Sequence, residues 1–297
     1  MICTNTAFAT VVPNNSQDRI AGLKKLQEMT GRHEYFMAAA ELAELQRRYP
    51  SDLDITLAAA KLHQEMGFSA QAEDEYLKVL QARPNLPEAC VALSTIYLQK
   101  LEVRKALDYA RQAFTSSPST KTRLTLVSAL LAAGKVDEAN SELQKLLRND
   151  GQNAQVQYMA YELSLSLNRN KDALRYLEAA INIAPSSAEW LVELSDLYKE
   201  SGEYHYARNA LERVLSIDPA SIDALNKLAV IYEFYLHDYD KAIMQYRKIL
   251  AHDPDSVTAL AGLDRCRIKK NDIAGAIKVQ LRAMLSNLSN MGKGQSE

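Results

Sequence analysis

Residues 187–221 read SAEWLVELSDLYKESGEYHYARNALERVLSIDPAS, a stretch in which two apolar patterns of helical period follow one another. Leu191, Leu194 and Tyr198 fall at the i, i+3, i+7 spacing of one helix face, and Gly202 interrupts that spacing. A second apolar pattern follows and ends before a proline. The stretch therefore predicts two short helices joined by a turn. Such a pair needs a neighbour on each side to bury its apolar faces.

The same pattern recurs about every 34 residues along nearly the whole sequence, and prolines mark its period. Proline suits the end of the second helix because it lacks the N–H that would continue a helix. One proline is skipped, at Gly151, where the glycine still indicates a turn. The prolines that mark the period are Pro50, Pro84, Pro118, Pro185, Pro219 and Pro254.

The residue before each predicted first helix is of a type whose side-chain oxygen caps helix N-termini. Leu86 is the exception, and Pro87 is expected to compensate because proline suits the first helical position. The predicted caps are Asp52, Thr120, Asn153, Ser187, Ser221 and Ser256.

The repeated unit resembles the tetratricopeptide repeat, whose pattern places large, small, aromatic and proline residues at eight defined positions. This resemblance implies an all-α fold, a right-handed α-solenoid of about eight stacked helix-turn-helix repeats. With Ala188 as position 1, the residues at the eight positions are Leu191, Leu194, Ser195, Tyr198, Ala207, Leu211, Val214 and Pro219.

The predicted array covers residues 16–288, between a flexible amino-terminal segment, 1–15, and a disordered tail, 289–297. The fourth repeat is one residue short and is expected to be locally irregular. The seventh has one extra residue, which we place in the exposed turn FYLHDYD, residues 234–240. The predicted repeats are 16–52, 53–86, 87–120, 121–153, 154–187, 188–221, 222–256 and 257–288.

The composition argues against several classes of protein. The chain of 297 residues has a net charge of -2, so its overall charge gives no reason to expect nucleic acid or an anionic membrane as partner. Cys3, Cys90 and Cys266 are too scattered for a disulfide framework or a zinc site. No window has the pattern of a signal peptide or a membrane span, so we expect a cytoplasmic protein without membrane insertion.

No motif predicts catalysis or a bound cofactor. The five histidines are scattered, and the segment HEYFM, residues 33–37, lacks the second histidine of a zinc protease motif. Serine, histidine and aspartate occur without a pattern that would bring them together. We therefore expect a non-enzymatic protein that binds neither metal nor cofactor.

In the tetratricopeptide repeat the first helices line a concave groove, and their positions identify the expected groove residues here. In the sixth repeat four acids lie at i, i+4, i+7 and i+11 and form one stripe that a cationic partner would stabilise. The groove is therefore predicted to bind a basic protein or peptide segment at repeats five to seven, although a solvated acidic face fits the same residues. The four acids are Glu189, Glu193, Asp196 and Glu200, and the flanking repeats add Tyr158, Glu162, Asp223, Asn226, Glu233 and Phe234.

Toward the amino-terminal end of the array, the same positions carry small and apolar residues. They are predicted either to seat a partner helix or a peptide side chain, or to belong to the ordinary core. These residues are Val91, Thr95, Leu98, Thr125, Ala129 and Ala132.

The carboxyl-terminal repeat is basic. Opposite charges in repeats six and eight are consistent with head-to-tail self-association, and a contact that does not close would build a filament. A solubilising cap, or a contact with RNA, fits the same charges. The basic residues are Arg265, Arg267, Lys269, Lys270, Lys278 and Arg282.

The function that we predict is a scaffold or adaptor for protein–protein interaction, with a partner segment held in the concave groove. One alternative is a self-assembling scaffold that recruits partners on its outer face. Another is a regulatory subunit of an enzyme encoded elsewhere. The repeat pattern does not separate these functions, because it specifies the stack of helices and leaves the groove residues free to vary.

Overall fold

The structure is a computed structural model that describes residues 16–270 and, beyond them, residues 277, 278, 280–282 and 284. Every regular element in this part of the chain is helical, which confirms the predicted all-α class. The predicted segment 1–15 and tail 289–297 lie outside the described residues. The elements are α1 (Ser16–Gly31), α2 (Tyr35–Arg48), α3 (Leu53–Glu65), α4 (Ser69–Ala82), α5 (Pro87–Gln99), α6 (Val103–Ser116), α7 (Thr120–Ala132), α8 (Val136–Asp150), α9 (Ala154–Ser166), α10 (Asn170–Ile183), α11 (Ala188–Glu200), α12 (Tyr204–Ile217), α13 (Ile222–Val230), a π-helical segment (Ile231–Tyr235), α14 (Tyr239–His252) and α15 (Val257–Lys269).

The chain divides into two compact units, and the boundary falls between Asn149 and Asp150, at the end of α8. Within each unit, consecutive helices pack as pairs, each of which forms one repeat: α1 with α2, α3 with α4, α5 with α6, α9 with α10, α11 with α12, and α13 with α14. Arg123 of α7 forms an ion pair with Glu142 of α8 at 3.0 Å. The core of the second unit is continuous from Tyr161 to Cys266. Ser195 and Ala207 are buried in it, as expected for small residues at positions where helices approach closely.

Each turn between the two helices of a pair contains one residue with a positive φ, and these residues measure the length of the repeats. They are 34 residues apart, except that 33 separate Leu101 from Gly134 and 35 separate Gly202 from His237. One residue is therefore missing between the turns of repeats three and four, and one is added between the turns of repeats six and seven. The remaining members of the series are His33, Gly67 and Asn168.

The missing residue lies in the connection before α7, which makes the fourth repeat itself regular. Ser119 is the N-cap of α7, because its hydroxyl accepts a hydrogen bond from the Thr122 N–H at 3.2 Å. The Thr122 hydroxyl in turn accepts from the Ser119 N–H at 3.0 Å and completes a capping box. The predicted cap Thr120 and the predicted start of repeat four at residue 121 were therefore wrong by one residue.

The other predicted caps occupy their expected positions. Asp52, Asn153, Ser187 and Ser221 each accept a hydrogen bond from a backbone N–H of the first helical turn. Ser256 occupies the N-cap position of α15 without such a bond.

We expect Ser119→Ala to lower the free energy of unfolding by about 1 kcal/mol, because it removes the acceptor of the Thr122 N–H. Ser119→Asp keeps a side-chain acceptor and should stay within about 0.5 kcal/mol of the wild type. The measurement is hydrogen exchange of the first amides of α7 in both variants and in the wild type. Faster exchange is expected only in Ser119→Ala. Equal protection in all three proteins would show that this cap does not stabilise α7.

The extra residue of repeat seven is absorbed inside its first helix, by the π-helical segment. The N–H of Leu236 donates to the carbonyl of Ile231 at 2.9 Å, a step of five residues that accommodates one more residue than an α-helical turn. The following turn keeps the usual order, with the positive φ at His237 and the next N-cap at Asp238. The prediction of an insertion in the exposed turn was therefore wrong.

Candidate functional site

The predicted acidic groove residues lie on the first helices of three successive repeats, α9, α11 and α13 with its π-helical extension. These helices begin 34 residues apart, and neighbouring helices are in contact, as Tyr158 of α9 and Glu193 of α11 show. We call this surface the A-helix face. Its residues are Tyr158, Glu162, Glu189, Glu193, Asp196, Lys199, Glu200, Asp223, Asn226 and Lys227.

Glu193 lies at the centre of the A-helix face, beside aromatic side chains. Its carboxylate accepts a hydrogen bond from the Tyr158 hydroxyl at 2.9 Å, and Tyr158 stacks on Trp190 with 4.9 Å between ring centroids. The second carboxylate oxygen, Oε2, is buried and has no hydrogen-bond partner among the described residues. A buried acceptor without a donor costs free energy, which a donor from a ligand would recover.

Two carboxyl groups of this face are weaker acids than usual. Burial raises the pKa of Glu193; the hydrogen bond from Tyr158 opposes the rise, and the neighbouring carboxylates Glu189 and Asp196 add to it. Desolvation, followed by the charge of Glu193, raises the pKa of Glu162. An approaching cation would favour the ionised form of both groups, so their chemistry suits a basic ligand.

Asp196 differs from the other acids of the predicted stripe because it is already paired. Lys199 Nζ lies 3.3 Å from one of its carboxylate oxygens, and Lys227 Nζ lies 2.8 Å from the other. The second of these pairs joins α11 to α13. Asp196 therefore contributes little free negative charge to the A-helix face.

Three acids on α11 and α13 are open to a ligand, in addition to the exposed Glu162 on α9. Glu189, Glu200 and Asp223 are exposed and form no ion pair within the part of the chain that the structure describes. Asn226 is half-buried on the same helix as Asp223 and offers an amide that can donate and accept hydrogen bonds. These side chains lie on two neighbouring helices and form the exposed acidic part of the surface.

Glu233 does not line this surface, because the π-helical segment places its side chain in the interior, where it is 0% exposed. Its carboxylate accepts hydrogen bonds from the Tyr246 hydroxyl at 2.8 Å and from two nitrogens of Arg265 at 2.8 and 2.9 Å. Burial alone would raise the pKa of Glu233, but the hydrogen bonds from Arg265 and Tyr246 outweigh burial and lower it. The expectation of a surface acid at this position is corrected.

The basic residues considered for self-association do not form one patch. Arg265 and Lys269 lie over the exposed ring of Phe234, 5.4 and 5.0 Å from its centroid. Lys270 pairs with Asp240 of α14 instead. Self-association through these three cations would therefore compete with contacts inside the chain. Arg267 is half-buried, whereas Lys278 and Arg282 are exposed.

The small and apolar residues predicted for the groove of the first unit are affected by the one-residue shift before α7. Ala129 is 0% exposed and belongs to the core, so its assignment to the groove is corrected. With α7 beginning at residue 120, the equivalent groove positions are those of Leu124, Ser128 and Leu131, all half-buried. Of the other predicted residues, Val91, Thr95, Leu98 and Thr125 are half-buried and Ala132 is exposed.

Sequence reasoning missed two members of the site. Trp190 was not expected to support Tyr158, and Lys227 was not expected to neutralise Asp196. The available signal for Lys227 was a cation 31 residues after an acid in the sixth repeat, which is close to one repeat length. No such signal existed for Trp190, because its stacking depends on how two neighbouring repeats pack.

The described part of the chain shows neither a reactive cysteine nor a metal site. Burial raises the pKa of the Cys90 thiol to about 11 and that of Cys266 to about 12, so neither is a thiolate at neutral pH. Among the residues that the structure describes, no group of three or more His, Cys, Asp or Glu could hold a metal ion. None of the described helices combines the length and the apolar character needed to cross a membrane.

Comparison with known protein families identifies the repeated unit. Sequence models of the tetratricopeptide repeat match residues 124–188, 164–231 and 223–256. The matched part begins in α7 and extends to Ser256, the residue before α15, so it includes all three helices of the A-helix face.

Two curated relatives are larger proteins. Anaphase-promoting complex subunit 3 of Schizosaccharomyces pombe is 23% identical over 200 residues, which make up 66% of this chain and 30% of that protein. Superkiller complex protein 3 of Homo sapiens is 22% identical over 307 aligned positions, 88% of this chain and 20% of that protein. The chain thus spans less than a third of the length of either relative.

A solved structure shows the same fold. The crystal structure of the APC/C hetero-tetramer Cut9-Hcn1 superposes with a TM-score of 0.60 and 17% sequence identity, over 82% of this chain and 48% of that chain. At this level of identity the likeness concerns the fold alone.

Proposed function

Because the chain belongs to the tetratricopeptide repeat family, we propose that it is a non-enzymatic scaffold that binds a basic segment of a partner protein on the A-helix face. Tetratricopeptide repeats generally mediate protein–protein interaction. The A-helix face is the proposed binding site, and a basic segment is the proposed ligand.

The observation that carries this proposal is an excess of carboxylates without cations on one face. Glu189, Glu200 and Asp223 are exposed and unpaired among the described residues, and Glu193 Oε2 lacks a donor. Lysine and arginine supply both charge and hydrogen-bond donors, so a segment containing them can satisfy these groups together.

The scaffold also suits binding because its groups are held in place before a ligand arrives. Tyr158 is stacked on Trp190 and bonded to Glu193, and Lys227 holds Asp196. Side chains that are already ordered lose little conformational entropy on association. Modest charge contacts can then give measurable affinity.

We expect Glu189→Lys/Glu200→Lys to weaken the binding of basic peptides by about tenfold or more, because two attractive contacts become repulsive. The measurement is fluorescence anisotropy with a library of labelled lysine- and arginine-containing peptides, at low and at raised salt. The affinity of the wild type should fall as salt is added. These two acids are preferred to Asp196, whose ion pairs a substitution would break.

The matched control is Asp74→Lys/Asp255→Lys, which makes the same change in net charge at exposed acids outside the A-helix face. This control should keep the affinity of the wild type. If it loses as much affinity as the face variant, binding reflects net charge alone, and the proposed site is wrong.

A further inference from the structure

A second surface of the same unit has the opposite charge. A groove of about 700 Å³ lies between α14 and the end of α15. Among the residues that the structure describes, four cations contribute to its lining, Arg247, Lys248, Arg267 and Lys270, against the single acid Asp240. Two of the cations come from α14, which sequence analysis did not single out.

This groove is separate from the A-helix face. Arg265 and Lys269 are four residues apart and therefore share one side of α15, the side that contacts Glu233 and Phe234. Arg267 lies two residues after Arg265, which places it about 200° further around α15. Lys270 directly follows the last residue of α15, and both cations line the groove together with residues of α14.

We propose that the α14–α15 groove binds an acidic segment of a partner protein, at a site distinct from the A-helix face. Arg247 and Lys248 are exposed and form no ion pair within the described residues. Asp240 pairs with Lys270, but both side chains are largely exposed, and such pairs contribute little to stability. An incoming carboxylate can therefore take the place of Asp240 without a large cost.

The lining of the groove favours a peptide over a nucleic acid. Ile243, Met244 and Ala251 lie among the cations, and the Met244 residue is 49% exposed. An exposed flexible thioether is a good contact for an apolar side chain. Nucleic acid binding by charge alone instead calls for a broad basic surface, and this chain has a net charge of -2.

The length of the groove sets the size of the segment. The lining of α14 runs from Asp240 to Ala251, which corresponds to about 16 Å of helix. An extended strand of about five residues covers that distance. The expected ligand is therefore a short segment with two or more carboxylates and one apolar side chain.

The test uses the full chain and an array of peptides of about eight residues, each with several Asp or Glu and one Leu, Met or Phe. A second array replaces every Asp and Glu by Asn and Gln. We expect acidic peptides to bind and the amide peptides to bind at least about tenfold more weakly. Arg247→Glu/Lys248→Glu should abolish the preference, whereas Arg213→Glu/Lys171→Glu, an equal charge change at exposed cations away from the groove, should retain it.

Three outcomes would overturn this proposal. Acidic peptides that bind no better than their amide counterparts show that the groove does not select carboxylates. A single-stranded RNA that displaces the peptides and binds more tightly assigns the groove to nucleic acid. A molecular mass that rises with concentration in the wild type, and stays constant in Arg247→Glu/Lys248→Glu, assigns it to a second copy of the chain. Binding of basic peptides to the A-helix face should be unchanged in the groove variant, so the two proposals fail separately.

Discussion

Replacing Arg265 by alanine is expected to lower the free energy of unfolding of the second unit by about 3 kcal/mol. Among the described residues, Arg265 supplies two of the three hydrogen bonds of the Glu233 carboxylate. Its removal leaves that charge buried with Tyr246 and with Lys269, whose Nζ lies 3.8 Å from Oε1 of Glu233. Removing one partner of a buried ion pair typically costs about 3–5 kcal/mol. The lower end of this range applies here because Tyr246 and Lys269 remain close to the Glu233 carboxylate.

The cost should depend on which partner is removed. The Glu233 side chain is fully buried, whereas that of Arg265 is 44% exposed and can reach water when its partner is lost. Glu233→Gln should therefore cost less than Arg265→Ala. In a Glu233→Gln background the further change Arg265→Ala should be much milder, because no buried charge is then left behind.

The effect of Arg265→Ala should also depend on pH. In the wild type the lowered pKa of Glu233 stabilises the fold above the pKa of the unfolded chain, and this stability is lost as pH falls through the folded value. Without Arg265, burial dominates and raises the pKa of Glu233 instead, so the variant gains stability as pH falls. The difference between the proteins should be largest near neutral pH and should narrow toward about pH 4.

Denaturant unfolding followed by tryptophan fluorescence measures these effects, because Trp190 is the single tryptophan and is buried in the second unit. Arg213→Ala, at an exposed arginine of α12 without an ion pair in the described chain, is the matched control and should change stability little. A cost for Arg265→Ala that equals this control, or that does not vary with pH, would contradict the buried ion pair.

The helix pairs could be predicted from the sequence because they depend on local spacing. Apolar residues at helical intervals and prolines at the repeat length are sufficient for that purpose. The one-residue shift at Ser119 was not predictable in the same way, since Ser117, Ser119 and Thr120 are all capping types. The choice among them depends on the reciprocal bonds with Thr122.

The site was harder to predict than the fold. Glu189 and Glu200 are exposed acids, as their positions in the repeat suggest. Glu233 occupies a similar position by counting, yet the π-helical segment rotates it into the core, where Arg265 of the next repeat meets it. An extra residue between Tyr232 and Asp238 can be placed in the helix or in the turn with the same sequence. Only the packing of two repeats decides between them.

The packing around this ion pair leads to the second large effect, which concerns Gly262 in α15. A Cβ atom at this position would lie 2.2 Å from Cζ of Tyr246 and 2.6 Å from two further ring atoms. Displacing the Tyr246 ring costs free energy, because the ring is buried and its hydroxyl donates a hydrogen bond to Glu233 at 2.8 Å. Gly262→Ala must therefore displace the ring, and with it the hydrogen bond.

We expect Gly262→Ala to lower the free energy of unfolding by about 2 kcal/mol. Overpacking destabilises the fold by about 1–3 kcal/mol, and the loss of the hydrogen bond destabilises it by about 1 kcal/mol. The higher helix propensity of alanine offsets up to about 1 kcal/mol of this cost. Gly31→Ala is the matched control, because a Cβ there meets nothing within 4 Å, and it should be neutral or slightly stabilising. In a Tyr246→Leu background, which lacks the clashing ring atoms, Gly262→Ala should cost much less. An equal cost in both backgrounds would show that the glycine is required for another reason than the approach of Tyr246.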